Sequence, residues 1–492
     1  MSGTLVDFPG SRETLRVVIA GGGISGLAAA HHLQETAARG DGPRIEIRVL
    51  EAGSRPGGLV RTESVAGLVL ETGADSMIAQ KPAGLALCER LGLGDEVVRL
   101  DSPRPTMQVV HRGRLVDLPP GFALLAPARL RPLLVSRLFS WRGKLRILAE
   151  PLVPRRRSPA SDESLRSFVT RRLGREALER AAEPIVCGLY TADADRLSVA
   201  ATLPRFLELE RTHGSVVRGL RRLTRAHASS QGARFVWLRG GMERLVDRLV
   251  AALAPGTLDL GARIERVHPD PGTGRWCIDV QGRPASQADA VILATPGWTA
   301  AELVSQADPS LARDLATLQY ASCATVHLLY RAAQVRAALS SYGFFVPRTA
   351  GLPILGCSYV SQKFPGRAPA DRVLLRAFLG GALDPDVLER SEDERIQIAH
   401  RTLAALLDIE GQPELARAHA HPRSMPQYAV GDRSRIERIG ERLALHGGLL
   451  VAGSLLGAVG VPDCIESGQR AAERALAYVA AFRARAARIA RA

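Results

Sequence analysis

The chain has 492 residues, 46% of them apolar and 23% charged, which is typical of a folded soluble protein and excludes a disordered or fibrous one. This length exceeds what one hydrophobic core normally serves, so we expect two or three lobes. The net charge of +15 comes mostly from arginine and favours anionic partners such as phosphates, carboxylates or acidic lipids. Nucleic acid is not expected as a partner.

The six cysteines are widely separated, which indicates reduced thiols of a cytosolic protein instead of a disulfide framework. No histidine or cysteine group has metal-ligand spacing, so no metal site is expected. The first sixteen residues are mixed and polar, unlike a targeting peptide. Segment 443–462 lacks Asp, Glu, Lys and Arg, but its five glycines favour a strand and a close turn over a membrane span. We therefore expect a cytoplasmic protein.

The N-terminal part of the chain predicts a β-α-β unit. Residues 15–20 form a short apolar run that ends at three glycines, and residues 24–38 have small and apolar side chains at helical spacing. A turn cluster then precedes a second apolar run at residues 45–50. A right-handed connection would place the two strands side by side in a parallel sheet.

A glycine-rich turn separates the first strand from the helix and consists of Gly21, Gly22, Gly23, Ile24, Ser25 and Gly26. It fits the pattern GxGxxG, in which Gly21 permits the tight turn, Gly23 lets a pyrophosphate approach the helix N-terminus, and Gly26 allows close packing. Glu51 ends the second strand and is predicted to accept hydrogen bonds from ribose hydroxyls. The pattern predicts a dinucleotide site and leaves NAD and FAD both open.

The middle of the chain changes character twice. Residues 118–149 contain no acidic residue and have basic side chains among leucines, which makes this segment basic and amphipathic. Residues 162–210 have helical periodicity, and residues 240–252 enter a helix from a turn. Short strands are predicted at 257–267 and 276–280, a strand that rejoins the first sheet at 288–296, and strands of a second sheet at 321–330, 343–346, 355–359 and 373–379.

Two further segments resemble the amine-oxidase-like flavoproteins. Residues 52–62 resemble the extension that runs beside the FAD pyrophosphate and ribityl chain in that superfamily, and residues 448–454 followed by 465–472 resemble its second flavin signature. The resemblance implies FAD as the cofactor. It also implies further cofactor contacts, which fall on Ala52, Gly57, Gly58, Leu59, Arg61, Gly73, Val267, Gly453, Ser454, Val459 and Val461.

Other motifs resemble the oxygen-dependent protoporphyrinogen oxidases, in the expected order from residue 17 to about 476. These motifs are ETGADS at 71–76, GLYTAD at 188–193, LSVAAT at 197–202, PQY at 426–428 and VGVPDC at 459–464. The resemblance implies an oxidase of heme biosynthesis that converts protoporphyrinogen IX or coproporphyrinogen III to the porphyrin, with O2 as electron acceptor. The flavin accepts the hydride in that family, so no catalytic side chain is assigned.

The same resemblance implies a set of substrate contacts, which are Lys81, Gly188, Phe345, Ser358 and Phe378. Lys81 matches a basic residue that faces a propionate, and the backbone of Gly188 matches a close approach to the macrocycle. Ser358 is more polar than the family pattern. Ala458 and Asp432 also depart from it, since a glycine and a histidine are usual there.

The predicted architecture is α/β, with a Rossmann-like FAD-binding domain, a mixed-sheet substrate domain and an inserted helical lobe. The FAD-binding domain is expected at 12–90, 232–298 and 438–492, the helical lobe at 91–210, and the substrate domain at 299–437.

Three alternatives to the porphyrinogen oxidase remain open at this point. A flavin amine oxidase shares both flavin signatures, and a carotenoid desaturase has a similar N-terminus. The third alternative is a flavin-binding protein that catalyses no reaction. The basic segment 118–149 matches a lobe that contacts membrane in relatives, so it is either a peripheral contact on the inner face of the cell membrane or a solvated helix face.

Overall fold

The computed structural model describes residues 14–39, 44–99, 107–156, 162–226 and 235–491. The strands are β1 (Leu15–Ala20), β2 (Ile45–Glu51), β3 (Thr62–Val65), β4 (Leu68–Glu71), β5 (Met77–Ile78), β6 (Val97–Arg99), β7 (Gln108–His111), β8 (Arg114–Asp117), β9 (Phe122–Ala123), β10 (Ala126–Pro127), β11 (Phe235–Leu238), β12 (Leu258–Leu260), β13 (Ile264–Pro269), β14 (Trp276–Val280), β15 (Ser286–Ala288), β16 (Ala290–Leu293), β17 (Gln319–Arg331), β18 (Gly343–Phe345), β19 (Gly356–Tyr359), β20 (Arg372–Gly380), β21 (Leu415–Gln427) and β22 (Leu449–Val451).

The helices connect and cover these strands. They are α1 (Ile24–Arg39), α2 (Pro82–Arg90), α3 (Leu130–Val135), α4 (Trp141–Leu148), α5 (Leu165–Leu173), α6 (Arg175–Ala177), α7 (Glu183–Tyr190), α8 (Val199–Thr202), α9 (Pro204–His213), α10 (Val216–Ala226), α11 (Glu243–Ala252), α12 (Gly297–Val304), α13 (Pro309–Ala316), α14 (Val360–Lys363), α15 (Glu392–Leu407), α16 (Asp432–Leu445) and α17 (Val461–Arg491). No helix in the described ranges is both long and apolar enough to cross a membrane.

A five-stranded parallel sheet in the order β12-β2-β1-β16-β22 forms the first layer. Its central strand β1 pairs with β2 on one side and with β16 on the other, and the second pair joins segments more than 200 residues apart in the chain. Buried side chains of α1 and α17 pack on one face of this sheet, and those of α12 and α13 pack on the other. The predicted β-α-β unit is confirmed, and the strand predicted at 288–296 rejoins this sheet as β16.

A seven-stranded mixed sheet in the order β21-β17-β20-β19-β18-β7-β8 forms the second layer. All of its neighbouring strands are antiparallel except β18 and β7. One face buries leucines, Tyr330 and Tyr359 against α15. The predicted mixed-sheet unit is confirmed, and its other face contacts the loop between β4 and β5 through Thr325 and Arg376.

The segment 91–210, predicted as helical, also contains strands. β7 and β8 extend the second sheet, joined by Arg112 and Gly113 with φ angles of 53° and 74°. Two consecutive positive φ values are typical of the tight turn that matches strand twist. This hairpin was not predicted, because Arg-Gly lacks the usual Asn-Gly signal. The basic segment 118–149 likewise starts with the short pair β9 and β10.

Helices α3 to α10 pack around a separate apolar core. A turn of π-helix at Leu178–Ala182 precedes α7, whose second residue is Pro184. Proline has no N–H to donate to the preceding turn, which accounts for the irregular hydrogen bonding there. The irregular turn leads into the helix that ends at Tyr190 and holds Gly188 near its end.

Candidate functional site

The glycine turn after β1 has three distinct local geometries. Gly21 has a φ of +103°, and a Cβ there would lie 2.7 Å from the carbonyl oxygen of Ala294. A Cβ on Gly26 would lie 2.0 Å from the Gly21 carbonyl oxygen, whereas a Cβ on Gly23 would meet nothing within 4 Å. The turn, the close helix packing and the open approach are therefore all present, and the contact with a nucleotide stays a prediction.

The Glu51 carboxylate ties the glycine turn to the end of β2. Its Oε2 accepts a hydrogen bond of 2.7 Å from the Gly22 amide, and its Oε1 accepts one of 2.7 Å from the Gly53 amide. A carboxylate oxygen has two lone pairs, so each still has capacity for a hydroxyl donor. Ile24 and Ser25 are buried behind this edge, and Ala52 is exposed beside it.

The extension after Glu51 folds back against the glycine turn. The Gly57 amide donates to the Gly22 carbonyl at 2.8 Å, and a Cβ on Gly58 would lie 3.3 Å from the Gly23 Cα. Leu59 is 51% exposed although it is apolar, and a Cβ on Gly73 would overlap its carbonyl oxygen at 1.8 Å. These contacts form a backbone cradle in front of α1.

The C-terminal signature meets the same end of α1. Gly453 has a φ of +87°, its amide donates to Ser467 Oγ at 3.0 Å, and a Cβ there would lie 3.0 Å from Ser25 Oγ. A Cβ on Gly468 would lie 2.1 Å from the Ser25 carbonyl oxygen, so α17 packs directly on α1. The Tyr428 hydroxyl donates to the Ser454 carbonyl at 2.5 Å.

The remaining predicted cofactor residues lie around this arrangement. Val461 is buried at the first turn of α17, and Val459 is half-buried just before it. Val267 is buried in β13 opposite Ile278, and Arg61 is exposed with its carbonyl accepting from the Thr72 amide at 3.0 Å. The structure thus brings the N-terminal and C-terminal groups together around α1.

The two residues that depart from the family pattern both have defined contacts. Ala458 is buried, and its carbonyl lies 3.4 Å from Cys464 Sγ. Asp432 begins α16 and accepts a hydrogen bond of 2.7 Å from the Ala429 amide. Burial raises the pKa of the Asp432 carboxyl, with Arg435 acting in the opposite direction.

A flavin dinucleotide fits the residues present at this edge. The N-terminus of α1 offers its positive dipole end and an unobstructed Gly23 backbone for a pyrophosphate. The Glu51 carboxylate retains the acceptor capacity that a ribose site requires, and the exposed Leu59 side chain offers an apolar surface near it.

Four of the five predicted substrate residues lie around β18, β19 and β20. A Cβ on Gly188 would lie 2.7 Å from Phe345 Cδ1, so the end of α7 touches β18 there. Phe345 and Phe378 both pair with Gly356 from its two sides, which places their rings on one face of the sheet. Ser358 belongs to the same face, two residues beyond Gly356.

The fifth, Lys81, lies just before α2 in an ion pair. Its Nζ is 2.5 and 2.6 Å from the two carboxylate oxygens of Asp463, near the start of α17. The Lys81 side chain is 48% exposed. The predicted substrate anchor is thus accessible but already holds a carboxylate of the protein itself.

Several polar residues on the sheet face that carries Phe378 were not predicted from the sequence. Thr325 Oγ1 donates to the Thr72 carbonyl at 3.0 Å, and Arg376 Nη2 donates to the Thr72 and Gly73 carbonyls at 3.0 and 2.6 Å. Burial and repulsion from Arg376 lower the pKa of His421 to about 4. A charged or polar residue inside an otherwise apolar strand was the signal available for finding them.

The acidic partner of this group is Asp75. Lys363 Nζ lies 3.1 Å from both of its oxygens, and Arg376 Nη1 lies 3.4 Å from one. Burial alone would raise the pKa of Asp75, but these two cations outweigh it and lower the pKa to about 2. The loop between β4 and β5 is therefore fixed to the second sheet by ionised side chains.

Comparison with known proteins places the chain in a family. Residues 24–476 match the family model of the flavin containing amine oxidoreductases. The chain belongs to this family. It is therefore a flavin-containing oxidoreductase by family, with an α/β fold that joins a parallel nucleotide-binding sheet to a mixed sheet.

Individual members of the family align over nearly the whole chain. The coproporphyrinogen III oxidase of Bacillus subtilis (strain 168) is 30% identical over 470 residues, with 94% of this chain and 98% of that protein covered. The protoporphyrinogen oxidase of Bos taurus is 32% identical over 498 residues, with 94% and 98% covered. A crystal structure from Exiguobacterium sp. 255-15, assigned as a protoporphyrinogen oxidase, has a TM-score of 0.80 at 29% identity and covers 93% of this chain and 98% of its own.

Proposed function

We propose that this protein is an FAD-dependent oxidase of heme biosynthesis that converts a porphyrinogen to the porphyrin with O2 as electron acceptor. The observation that carries the proposal is the apolar wall made by Phe345 and Phe378 on one face of the sheet, with Gly188 packed against the Phe345 ring. A large flat macrocycle requires such a wall. Similarity over nearly the full length to porphyrinogen oxidases of bacteria and mammals supports the same substrate class.

The chain's own residues bind and orient the reactants. Gly23 and the N-terminus of α1 would hold the FAD pyrophosphate, and Glu51 would hold the adenosine ribose. When bound, the flavin supplies hydride acceptance and electron transfer to O2. Phe345 and Phe378 would exclude water from the face of the macrocycle. The neighbouring His421 is neutral near pH 7, because its pKa is lowered to about 4.

Both porphyrinogens fit this proposal, and coproporphyrinogen III is favoured as a substrate. Coproporphyrinogen III oxidases of Bacillus subtilis and Propionibacterium freudenreichii are 30% and 32% identical to this chain. Coproporphyrinogen carries more carboxylates than protoporphyrinogen, and an arginine-rich chain of net charge +15 favours anionic substrates.

The test of the proposal is aerobic porphyrin formation by the purified flavoprotein. We expect porphyrin fluorescence to rise above autoxidation with coproporphyrinogen III, protoporphyrinogen IX or both, together with peroxide. The heat-denatured protein is the control. A flavin-loaded protein that produces no fluorescence from either substrate would contradict the proposal. Peroxide formed from amines would instead favour the amine oxidase alternative, and oxidation of a carotenoid the desaturase alternative.

Lys81 provides a prediction about substrate affinity. We propose that its ammonium binds a substrate carboxylate in competition with Asp463, which holds it at 2.5 Å. Lys81→Ala should raise the substrate KM roughly tenfold with little change in kcat, as loss of a charged hydrogen bond does. Asp463→Asn should lower KM by about two- to fivefold, the range for releasing an exposed ion pair.

The double variant is the control for this competition. With Lys81 absent, Asp463→Asn should no longer affect KM, because the carboxylate then has no ammonium to withhold. Steady-state kinetics of the four proteins measures this. If KM is unchanged in Lys81→Ala, Lys81 does not bind substrate.

The outer surface of the helical lobe supports the proposed peripheral membrane contact. Four apolar side chains there are largely exposed, namely Val135 (81%), Trp141 (69%), Leu145 (63%) and Leu152 (84%). Arg131 and Arg142 are exposed beside them. Apolar side chains next to arginines suit the headgroup region of an anionic bilayer, so we infer a cytoplasmic protein that contacts the inner face of the cell membrane.

Vesicle co-sedimentation tests this surface. Trp141→Ser combined with Leu145→Ser should lower the fraction bound to phosphatidylglycerol vesicles at least severalfold, because both side chains lie one turn apart on α4. Leu445→Ser is the matched control, since Leu445 is 77% exposed at the end of α16. Equal binding of both variants and the unmodified protein would exclude this surface as the contact.

A further inference from the structure

Arg376 is a buried cation at the centre of the sheet face that carries the proposed substrate wall. It is 3% exposed in the middle of β20, where the flanking residues Leu375 and Ala377 face the opposite, apolar core. Across the sheet it pairs with Ser358 on one side and His327 on the other. A buried arginine requires several partners to offset its lost hydration.

One set of partners belongs to the loop between β4 and β5. Arg376 Nη2 donates to the Gly73 carbonyl at 2.6 Å and to the Thr72 carbonyl at 3.0 Å, and its other terminal nitrogen lies 3.4 Å from Asp75. The Gly73 backbone packs in turn against the Leu59 carbonyl in the cradle before α1. Arg376 therefore reaches from the second sheet to the predicted flavin-contacting backbone.

The other partner is the Phe378 ring. The guanidinium carbon of Arg376 lies 4.8 Å from the centroid of that ring, within the range of a cation–π contact. Phe378 is partly exposed on the same face, so neighbouring side chains restrain its ring only in part. The stacked guanidinium adds a further restraint on the ring's orientation. One rigid planar group thus contacts both the flavin-side loop and the substrate-side ring.

The geometry points to Arg376 as a positioning residue that sets the distance between the bound flavin and the substrate wall. It acts through the Thr72 and Gly73 carbonyls on one side and through Phe378 on the other, without touching the reacting atoms. This inference has two halves. The substrate half concerns the contact with Phe378 and rests on the proposed function, and the flavin half concerns the hydrogen bonds to the Thr72 and Gly73 carbonyls. The flavin half depends on the family fold alone.

Arg376→Met tests both halves, and Arg376→Lys separates them. Removing charge-assisted hydrogen bonds should weaken FAD binding roughly tenfold to a hundredfold in the methionine variant. Lysine keeps the charge but lacks the planar fork that both donates and stacks. We expect Arg376→Lys to retain thermal stability and most FAD affinity while the porphyrinogen KM stays raised as in Arg376→Met.

Arg395→Met is the matched control. Arg395 is also buried in the substrate domain and donates to a backbone carbonyl, that of Arg390, at 2.9 Å. It belongs to α15, on the opposite side of the same sheet. A loss of general stability would appear in both methionine variants, whereas altered FAD affinity and an altered flavin absorbance spectrum should appear only in Arg376→Met.

Coupling to Phe378 completes the experiment. Phe378→Leu should raise the substrate KM in the unmodified protein and have a clearly smaller effect once Arg376 is methionine, because the two residues act as one unit. Additive effects, or an Arg376→Met protein that matches Arg395→Met in FAD affinity and KM, would overturn the inference. A flavin-loaded parent protein without porphyrin formation would refute the proposed function instead, and FAD titration of Arg376→Met would still decide the flavin half.

Discussion

Replacing Gly26 with alanine is expected to abolish flavin binding and to destabilise the nucleotide-binding layer. The added methyl group would lie 2.0 Å from the Gly21 carbonyl oxygen and 3.2 Å from Ile19 Cγ2. Both contacts belong to β1 and the turn that follows it, so α1 has to move away from the sheet. Overpacking of this kind costs about 1–3 kcal/mol or more.

Gly23→Ala is the matched variant for this prediction. A Cβ at that position meets nothing within 4 Å, so the fold should keep its stability within about 0.5 kcal/mol. The methyl group would occupy the space through which a pyrophosphate reaches the helix N-terminus, so FAD affinity should fall. Thermal unfolding with and without FAD measures both effects. A Gly23→Ala protein that FAD stabilises as strongly as the parent would contradict the assignment of this turn.

The nucleotide-binding half of the fold was predictable from the sequence because its signals are local. Residues 15–20 and 45–50 are compact apolar runs on either side of a helix with an unbroken periodic pattern. The glycine turn joins the first strand directly to the helix, with Gly21 at a φ of +103°. Local pattern and tertiary structure agree there, which is why strand order and bounds were correct within one residue.

The contacts that shape the substrate side were not predictable in the same way. Lys81 and Asp463 are 382 residues apart, and Arg376 lies 303 residues from Gly73. Such pairs depend on how distant segments of the chain pack together, and no periodicity within one segment determines that. The β7–β8 hairpin was not predicted for a local reason. Arg112 has a positive φ, and arginine is not a residue type that usually indicates such a turn.

Replacing Arg172 with methionine is expected to unfold the helical lobe under mild denaturation. Arg172 and Glu150 are both 0% exposed, and Arg172 Nε donates to Glu150 Oε1 at 2.7 Å. Arg172 also donates to the Val153 and Gly214 carbonyls at 2.9 and 3.0 Å. Removing one partner of a buried ion pair costs about 3–5 kcal/mol, because the other charge stays buried without compensation.

Urea unfolding followed by far-ultraviolet circular dichroism measures this loss, since the lobe consists mainly of the helices α3 to α10. FAD retention should change less than stability, because α1 and the glycine turn belong to a different core. Arg211→Met is the control. Arg211 and Glu208 form an ion pair with side chains that are 72% and 56% exposed, so its loss should leave the urea midpoint unchanged.

A second substitution separates the cost of an unpaired charge from the cost of lost packing. Glu150 also accepts hydrogen bonds from the Val216 amide at 3.0 Å and from the Ser215 hydroxyl. Glutamine at position 150 keeps an acceptor for one of these donors while removing the charge. Adding Glu150→Gln to Arg172→Met should therefore restore part of the lost stability, because the buried carboxylate is then absent. If the double variant is less stable than Arg172→Met alone, Glu150 stabilises the lobe mainly through its charged hydrogen bonds to the start of α10.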